Sequence, residues 1–148
     1  MTGRRFLWAA FLLWSAWLLW MLLLGRLDSA FSMPLMEYAA GHLNVVPFRT
    51  VFNQISLSLE GNVHALTNLG GNLFLFLPYG LFLPALFPTL RRCLPFLAAF
   101  GGGIVLVELS QFLLRVGFCE VDDVLLNCAG ALLGFLIWKR WMRKDGER

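Results

Sequence analysis

Charge is what this 148-residue chain has least of. Only 14% of its residues are Asp, Glu, Lys or Arg, against about 25% in a soluble globular domain. Hydrophobic residues make up 59% and the mean hydropathy is +0.71. A chain this short cannot hide that much apolar surface inside one soluble core. A soluble domain is excluded, and an integral membrane protein is expected. Cysteine is scarce too. Cys93, Cys119 and Cys128 have no paired spacing, which excludes a disulfide framework and a zinc pattern and leaves them as small apolar residues. His42 and His64 read as ordinary loop residues. No His-rich metal spacing, nucleophile elbow or phosphate-cradling loop occurs, so no cofactor and no metal centre is expected. The net charge is only +3, and the basic residues flank apolar runs. That suits membrane anchoring and not nucleic-acid binding.

What is present is apolar sequence in lengths near the roughly 20 residues a membrane-spanning helix needs. Four runs qualify: Phe6–Leu24, Leu69–Phe87, Cys93–Leu114 between Arg92 and Arg115, and Val121–Trp138. The first exceeds the about 7–15 apolar residues of a signal peptide and no A-x-A site follows it, so a retained helix is expected. With a cytoplasmic N-terminus, Arg4, Arg5, Arg91, Arg92, Lys139, Arg140, Arg143, Lys144 and Arg148 fall inside, and only Arg26, Arg49 and Arg115 outside. The positive-inside rule then predicts both termini in the cytoplasm. The connection Gly25–Asn68 is correspondingly external. Within it Phe48, Val51, Phe52, Ile55 and Leu59 recur at helical spacing between Pro47 and Gly61. This predicts an amphipathic helix that either lies on the outer leaflet or lids the bundle. The fold class is therefore all-α: one membrane domain of four transmembrane helices plus an outer-surface amphipathic helix.

Given that orientation, the polar residues of the last three spans gather at their outer ends. Asn68 and Asn72 share a face at i,i+4 spacing. Glu108 and Gln111 sit near the outer end of the third span, and Glu108 is about 10 Å along the helix axis from Arg115. Asp122 and Asp123 open the fourth span, and Asn127 follows one turn deeper. Ionisable groups at such depth are costly and mark function by default. A bland role stands beside each: Asp122 or Asp123 as a cap of the fourth span, Asn72 and Asn127 as interhelical hydrogen-bonding groups, and Glu108 as half of a structural ion pair. Gly130 and Gly134 form a G-x-x-x-G, and Gly101–Gly103 thin the third span; both sets predict close helix approach. Pro78 and Pro84 remove backbone donors opposite Phe74 and Gly80. The stretch TNLGGNLFLFLPYG, Thr67–Gly80, is thus expected to turn its amides to an outer polar pocket and bend at its proline.

Four segments in order carry a family resemblance. They are NVVPF (Asn44–Phe48), NLGGNLFLFLPYGLFLP (Asn68–Pro84), ELSQ (Glu108–Gln111) and EVDDVLLNCAGALLGF (Glu120–Phe135). Together they resemble the VanZ-like family, bacterial multi-pass membrane proteins whose namesake is linked to teicoplanin resistance. Glu120 stands where the family often has aspartate, and the positions of Cys119 and Cys128 vary. The resemblance implies a ligand-binding set of Asn44, Asn68, Asn72, Glu108, Gln111, Asp122, Asp123 and Asn127, with Pro78, Gly80, Gly130 and Gly134 structural.

Three functions compete. The first is a module binding a lipid-linked peptidoglycan precursor or a lipoglycopeptide, its tail against Phe74 and Phe76. The second is an intramembrane enzyme with Glu108 and Asp123 as catalytic acid/base candidates, or with Glu120, Asp122, Asp123 and His64 around a divalent cation. The third is a transporter component or structural partner. The oligomeric state is left open.

Overall fold

Apolar runs of this length satisfy their backbone groups internally as helices, and four long helices form the body of the molecule. The computed structural model describes residues 2–24 and 34–146; Arg26, Arg148 and the 25–33 part of the long connection lie outside them. In chain order the elements are α1 (Thr2–Leu22), α2 (Leu35–His42), β1 (Leu43–Asn44), α3 (Arg49–Leu59), α4 (Val63–Leu86), a 3-10 turn (Pro88–Arg91), α5 (Cys93–Leu114), β2 (Cys119–Glu120) and α6 (Val121–Gly146). Each of α1, α4, α5 and α6 contains a stretch long and apolar enough to cross a membrane.

The two largest shifts from the expected spans have identifiable reasons. The second helix begins at Val63, not Leu69, because the Asn62 side chain caps it, accepting from the N–H groups of His64 at 3.0 Å and Ala65 at 3.2 Å. The fourth continues past Trp138 to Gly146, where Arg143 in the last turn complements the negative end of its dipole. Two features were not anticipated. Helix α2 follows Pro34, and β1 pairs in parallel with β2, Leu43 opposite Cys119 and Asn44 opposite Glu120. This short bridge ties the α1–α4 connection to the α5–α6 connection at one end of the bundle.

Antiparallel packing of α1 on α4 is read from its contacts. The Trp14 indole donates to the Leu75 carbonyl at 3.2 Å, Tyr79 donates to Ser15 at 3.1 Å, and Trp8 meets Phe87 edge to face at 5.3 Å. Helices α4 and α6 run parallel and share the most extensive contact among the described elements. Glycine makes it possible. A Cβ on Gly130 would lie 2.2 Å from the Leu73 carbonyl oxygen, one on Gly134 2.0 Å from that of Leu77, and one on Gly80 2.0 Å from that of Ala131. The glycine C–H bonds therefore point at carbonyls of the facing helix, the arrangement of weak Cα–H···O hydrogen bonds. Helix α4 stays continuous through Pro78 and Pro84. The expectation for Gly101–Gly103 needs correction. Gly101 faces the Cys128 sulfur, but among the described residues nothing stands within 4 Å of a Cβ at Gly102 or Gly103. Away from the bridge, Phe96 and Phe135 stack at 4.8 Å in a core with Phe76, Phe100, Ile104 and Ala131.

Gly134→Leu is expected to force α4 and α6 apart, because a backbone carbonyl cannot move aside like a side chain. Overpacking of this kind costs about 1–3 kcal/mol or more. Gly102→Ala, in open space within a helix, should be neutral or stabilising by up to about 1 kcal/mol. Thermal unfolding in detergent distinguishes the two; equal losses would contradict the assigned contacts.

Candidate functional site

At the bridged end, the helices surround a cavity of about 790 Å³, within the roughly 300–1,000 Å³ of ligand pockets. Its floor is apolar, made by Leu75 and Phe76 of α4 and Ile104 of α5, with Met21 and Leu22 of α1 beside them. Its upper wall is polar, drawn from α3, α4, α5, the bridge and α6. A neighbouring recess of about 610 Å³ shares Thr50, Asn53, Phe118 and Glu120 with it and includes His42, Asn44 and Arg49.

Six of the eight residues singled out as ligand-binding line the main cavity: Asn68, Asn72, Glu108, Gln111, Asp123 and Asn127. Asn68 is exposed at the rim. Asn72 donates through Nδ2 to Asp123 Oδ1 at 2.9 Å, joining α4 to α6. Glu108 is 6% exposed. Gln111 donates through Nε2 to the Leu22 carbonyl at 3.1 Å and fastens α5 to the end of α1. Asn127 is 5% exposed, and its Oδ1 has no hydrogen-bond partner among the described residues. Of the two phenylalanines expected along a ligand tail, Phe76 is in the cavity floor, whereas Phe74 faces outward.

Asn44 and Asp122 are placed otherwise. Asn44 lines the recess, donating to Thr50 Oγ1 at 2.9 Å and accepting from the Val46 N–H at 3.3 Å. Asp122, 1% exposed, directs both carboxylate oxygens to the start of α3. Oδ1 accepts from the Phe48 N–H, and Oδ2 from the Thr50 N–H at 2.7 Å and the Val51 N–H at 3.0 Å. These are donors that a helix leaves unsatisfied at its N-terminus, so Asp122 caps α3 from a distance. Phe48 adopts a left-handed conformation, φ 65°, a strain of about 1–2 kcal/mol for a non-glycine residue. The charge-assisted bonds to Asp122 offset it.

Helix α3 settles onto α4 and α6 with its faces reversed relative to a soluble protein. Thr50, Asn53 and Gln54 face the cavity, while Phe52 is 69% and Leu59 85% exposed. Its polar side lines the cavity, as the lid expectation has it, and its apolar side is exposed. The polar side was legible in the spacing of Thr50, Asn53 and Gln54 opposite the apolar stripe, but only the stripe drew notice. Neither histidine lies in a loop as expected: His42 ends α2, stacked on Tyr38 at 4.0 Å and on Phe118 at 4.6 Å, and His64 lies in the first turn of α4. Tyr38, missed entirely, is buried and its hydroxyl bonds the Gly117 backbone. Glu120, Asp122, Asp123 and His64 do not assemble around a divalent cation; no group of three His, Cys, Asp or Glu side chains able to hold a metal occurs among the described residues. In the α5–α6 connection, burial pushes the half-buried Cys119 thiol up from its ordinary pKa, and the nearby Glu108 carboxylate adds to the effect.

A bundle of four helices long and apolar enough to cross a membrane, with a polar cavity at one end, is the architecture of a multi-pass membrane protein. The VanZ/LLP1 family matches residues 8–143, nearly the whole chain. The chain belongs to the VanZ-like family. No curated protein and no solved structure matches it.

Asp122→Ala is expected to release α3 while leaving the four long helices folded. Bonds to a charged acceptor contribute about 1.5–3 kcal/mol each, so amide hydrogen exchange at Thr50 and Val51 should accelerate strongly while that of α4 changes little. Cys119 supplies an independent readout of Glu108. In a Cys93→Ser, Cys128→Ser background, Glu108→Gln removes one cause of the raised thiol pKa. More thiolate is then present at a given pH, and maleimide labelling at pH 7.5 should be faster. Unchanged labelling would show that the Glu108 charge does not act on this thiol.

Proposed function

We propose that this chain is a binding protein of the bacterial cell membrane, with both termini cytoplasmic and the cavity in the outer leaflet. There it holds the polar head of a lipid-linked cell-envelope component or of a lipoglycopeptide such as teicoplanin that targets one. The observation that carries this reading is a cavity of about 790 Å³ with a polar wall of Asn72, Glu108, Gln111, Asp123 and Asn127 above an apolar floor, in which the buried Asn127 Oδ1 has no hydrogen-bond partner among the described residues.

Three further features support the reading. The basic side chains of Arg4, Arg5, Arg91, Arg92, Lys139, Arg140 and Arg143 belong to the end remote from the cavity, as the positive-inside rule requires of a cytoplasmic face. The outward apolar side of α3 suits the outer leaflet. The apolar floor at Phe76 and Ile104 would receive the first methylenes of an acyl chain.

The test is expression of wild type, Glu108→Gln and Asp123→Asn in a susceptible Gram-positive host at matched membrane levels. Teicoplanin and vancomycin susceptibility are measured side by side. The expected outcome is protection against teicoplanin only, lost in both variants. Absence of protection by wild type would remove the resistance role, and protection retained in both variants would remove the cavity from it.

A further inference from the structure

The recess of about 610 Å³ beside the main cavity has a chemistry of its own. No lysine or arginine lines the main cavity, whereas Arg49, the first residue of α3, lines the recess. Glu120 lines it too, yet Arg49 makes no ion pair with any described residue. The backbone on either side of Arg49 is fixed, because Asp122 accepts from the amides of Phe48, Thr50 and Val51. Those bonds also consume the α3 amides that would otherwise attract an anion. The guanidinium is left as the anion-binding group. Asn44, in the same recess, gives one Nδ2 hydrogen to Thr50 Oγ1 at 2.9 Å, and an amide carries a second.

Depth is an independent observation. Glu120 directly precedes α6, and Lys139 opens the basic flank near its other end. At the rise of an α-helix the two are about 28 Å apart, close to the roughly 30 Å of a bilayer's hydrocarbon core. With Lys139 at one boundary, the recess stands at the other, the level of lipid phosphates. The side chains around Arg49 suit that level, since Val45, Val46, Phe48 and Phe52 are all exposed.

We infer that this recess is a phosphodiester-binding site, with Arg49 as the cation and Asn44 as a neighbouring donor. The inference goes beyond the reading of the main cavity. It stands whatever that cavity holds and whichever leaflet the bridged end occupies. A guanidinium fork matches two phosphate oxygens at once, which an ammonium does not. Glu120 narrows the class: a monoester carries about two negative charges at neutral pH, and a carboxylate in the same recess repels it more than a singly charged diester. The diester has two sources, a phospholipid of the surrounding leaflet or a water-soluble ester.

The experiment follows binding to the full chain in detergent by native mass spectrometry. The probes are phosphatidylglycerol, phosphatidic acid, a galactosyl diacylglycerol with the same acyl chains and no phosphate, and soluble glycerophosphoglycerol. Basic side chains at the opposite end attract anionic lipid as well, so the readout is the part of the affinity that Arg49→Gln removes. Arg49 is exposed, so this variant leaves the packing intact. A loss of about ten-fold or more for phosphatidylglycerol is expected, with the galactolipid unchanged. Arg49→Lys should recover only part of it. Glu120→Gln should narrow the gap between phosphatidic acid and phosphatidylglycerol. Arg49-dependent binding of phosphatidylglycerol alone assigns a phospholipid; comparable binding of the soluble ester assigns a soluble source. Phosphatidylglycerol binding that Arg49→Gln leaves unchanged, or an equal loss for the galactolipid, would overturn the inference without touching the main cavity. Loss in Asp123→Asn but not in Arg49→Gln would move the phosphate into the main cavity and also overturn it.

Discussion

The backbone-to-backbone contact of α4 with α6 is the constraint on which the rest depends. Two long helices can lie this close only where one presents hydrogen in place of a side chain, and Gly130 and Gly134 do so against the carbonyls of Leu73 and Leu77. In a bilayer, where lipid is as apolar as leucine, such van der Waals fit replaces hydrophobic exclusion as the source of helix association. The contact fixes α4 in register with α6 and so sets Asn72 opposite Asp123. The polar wall of the cavity is a consequence of that register.

Toward the bridged end the logic changes from fit to hydrogen bonding. Asp122 collects the first amides of α3, Asn62 collects those of α4, and Gln111 ties α5 to α1. Each removes an orphaned backbone group that could not remain unmet beside a membrane. In the cavity's polar wall Asn127 is buried, and its Oδ1 has no hydrogen-bond partner among the described residues.

The spans, the helical face of α3 and the closeness at Gly130 and Gly134 were readable because each rests on a local pattern of residue types. So was the gathering of Asn72, Glu108, Asp123 and Asn127 at one end, since depth along a helix follows from counting residues. What could not be read was which side chain meets which distant backbone. Asp122 and Asp123 are adjacent and chemically identical, yet one caps α3 across more than seventy residues and the other faces the cavity. Successive residues on a helix point about 100° apart, and only the tertiary placement of α3 decides which aspartate it meets. The same holds for Gly102 and Gly103, where small residues suggest contact but no described residue comes within 4 Å of a Cβ at either position.

The carboxylate that anchors α3 also fixes an order of events. Asp122 lies 71–74 residues downstream of the amides it caps, and Gly130 and Gly134 lie further along the same final helix. Chains are made from the N-terminus forward. The segment that becomes the lid is therefore synthesised well before its anchor exists. The site closes in one late step, when α6 inserts and delivers both the glycines that seize α4 and the aspartate that seizes α3.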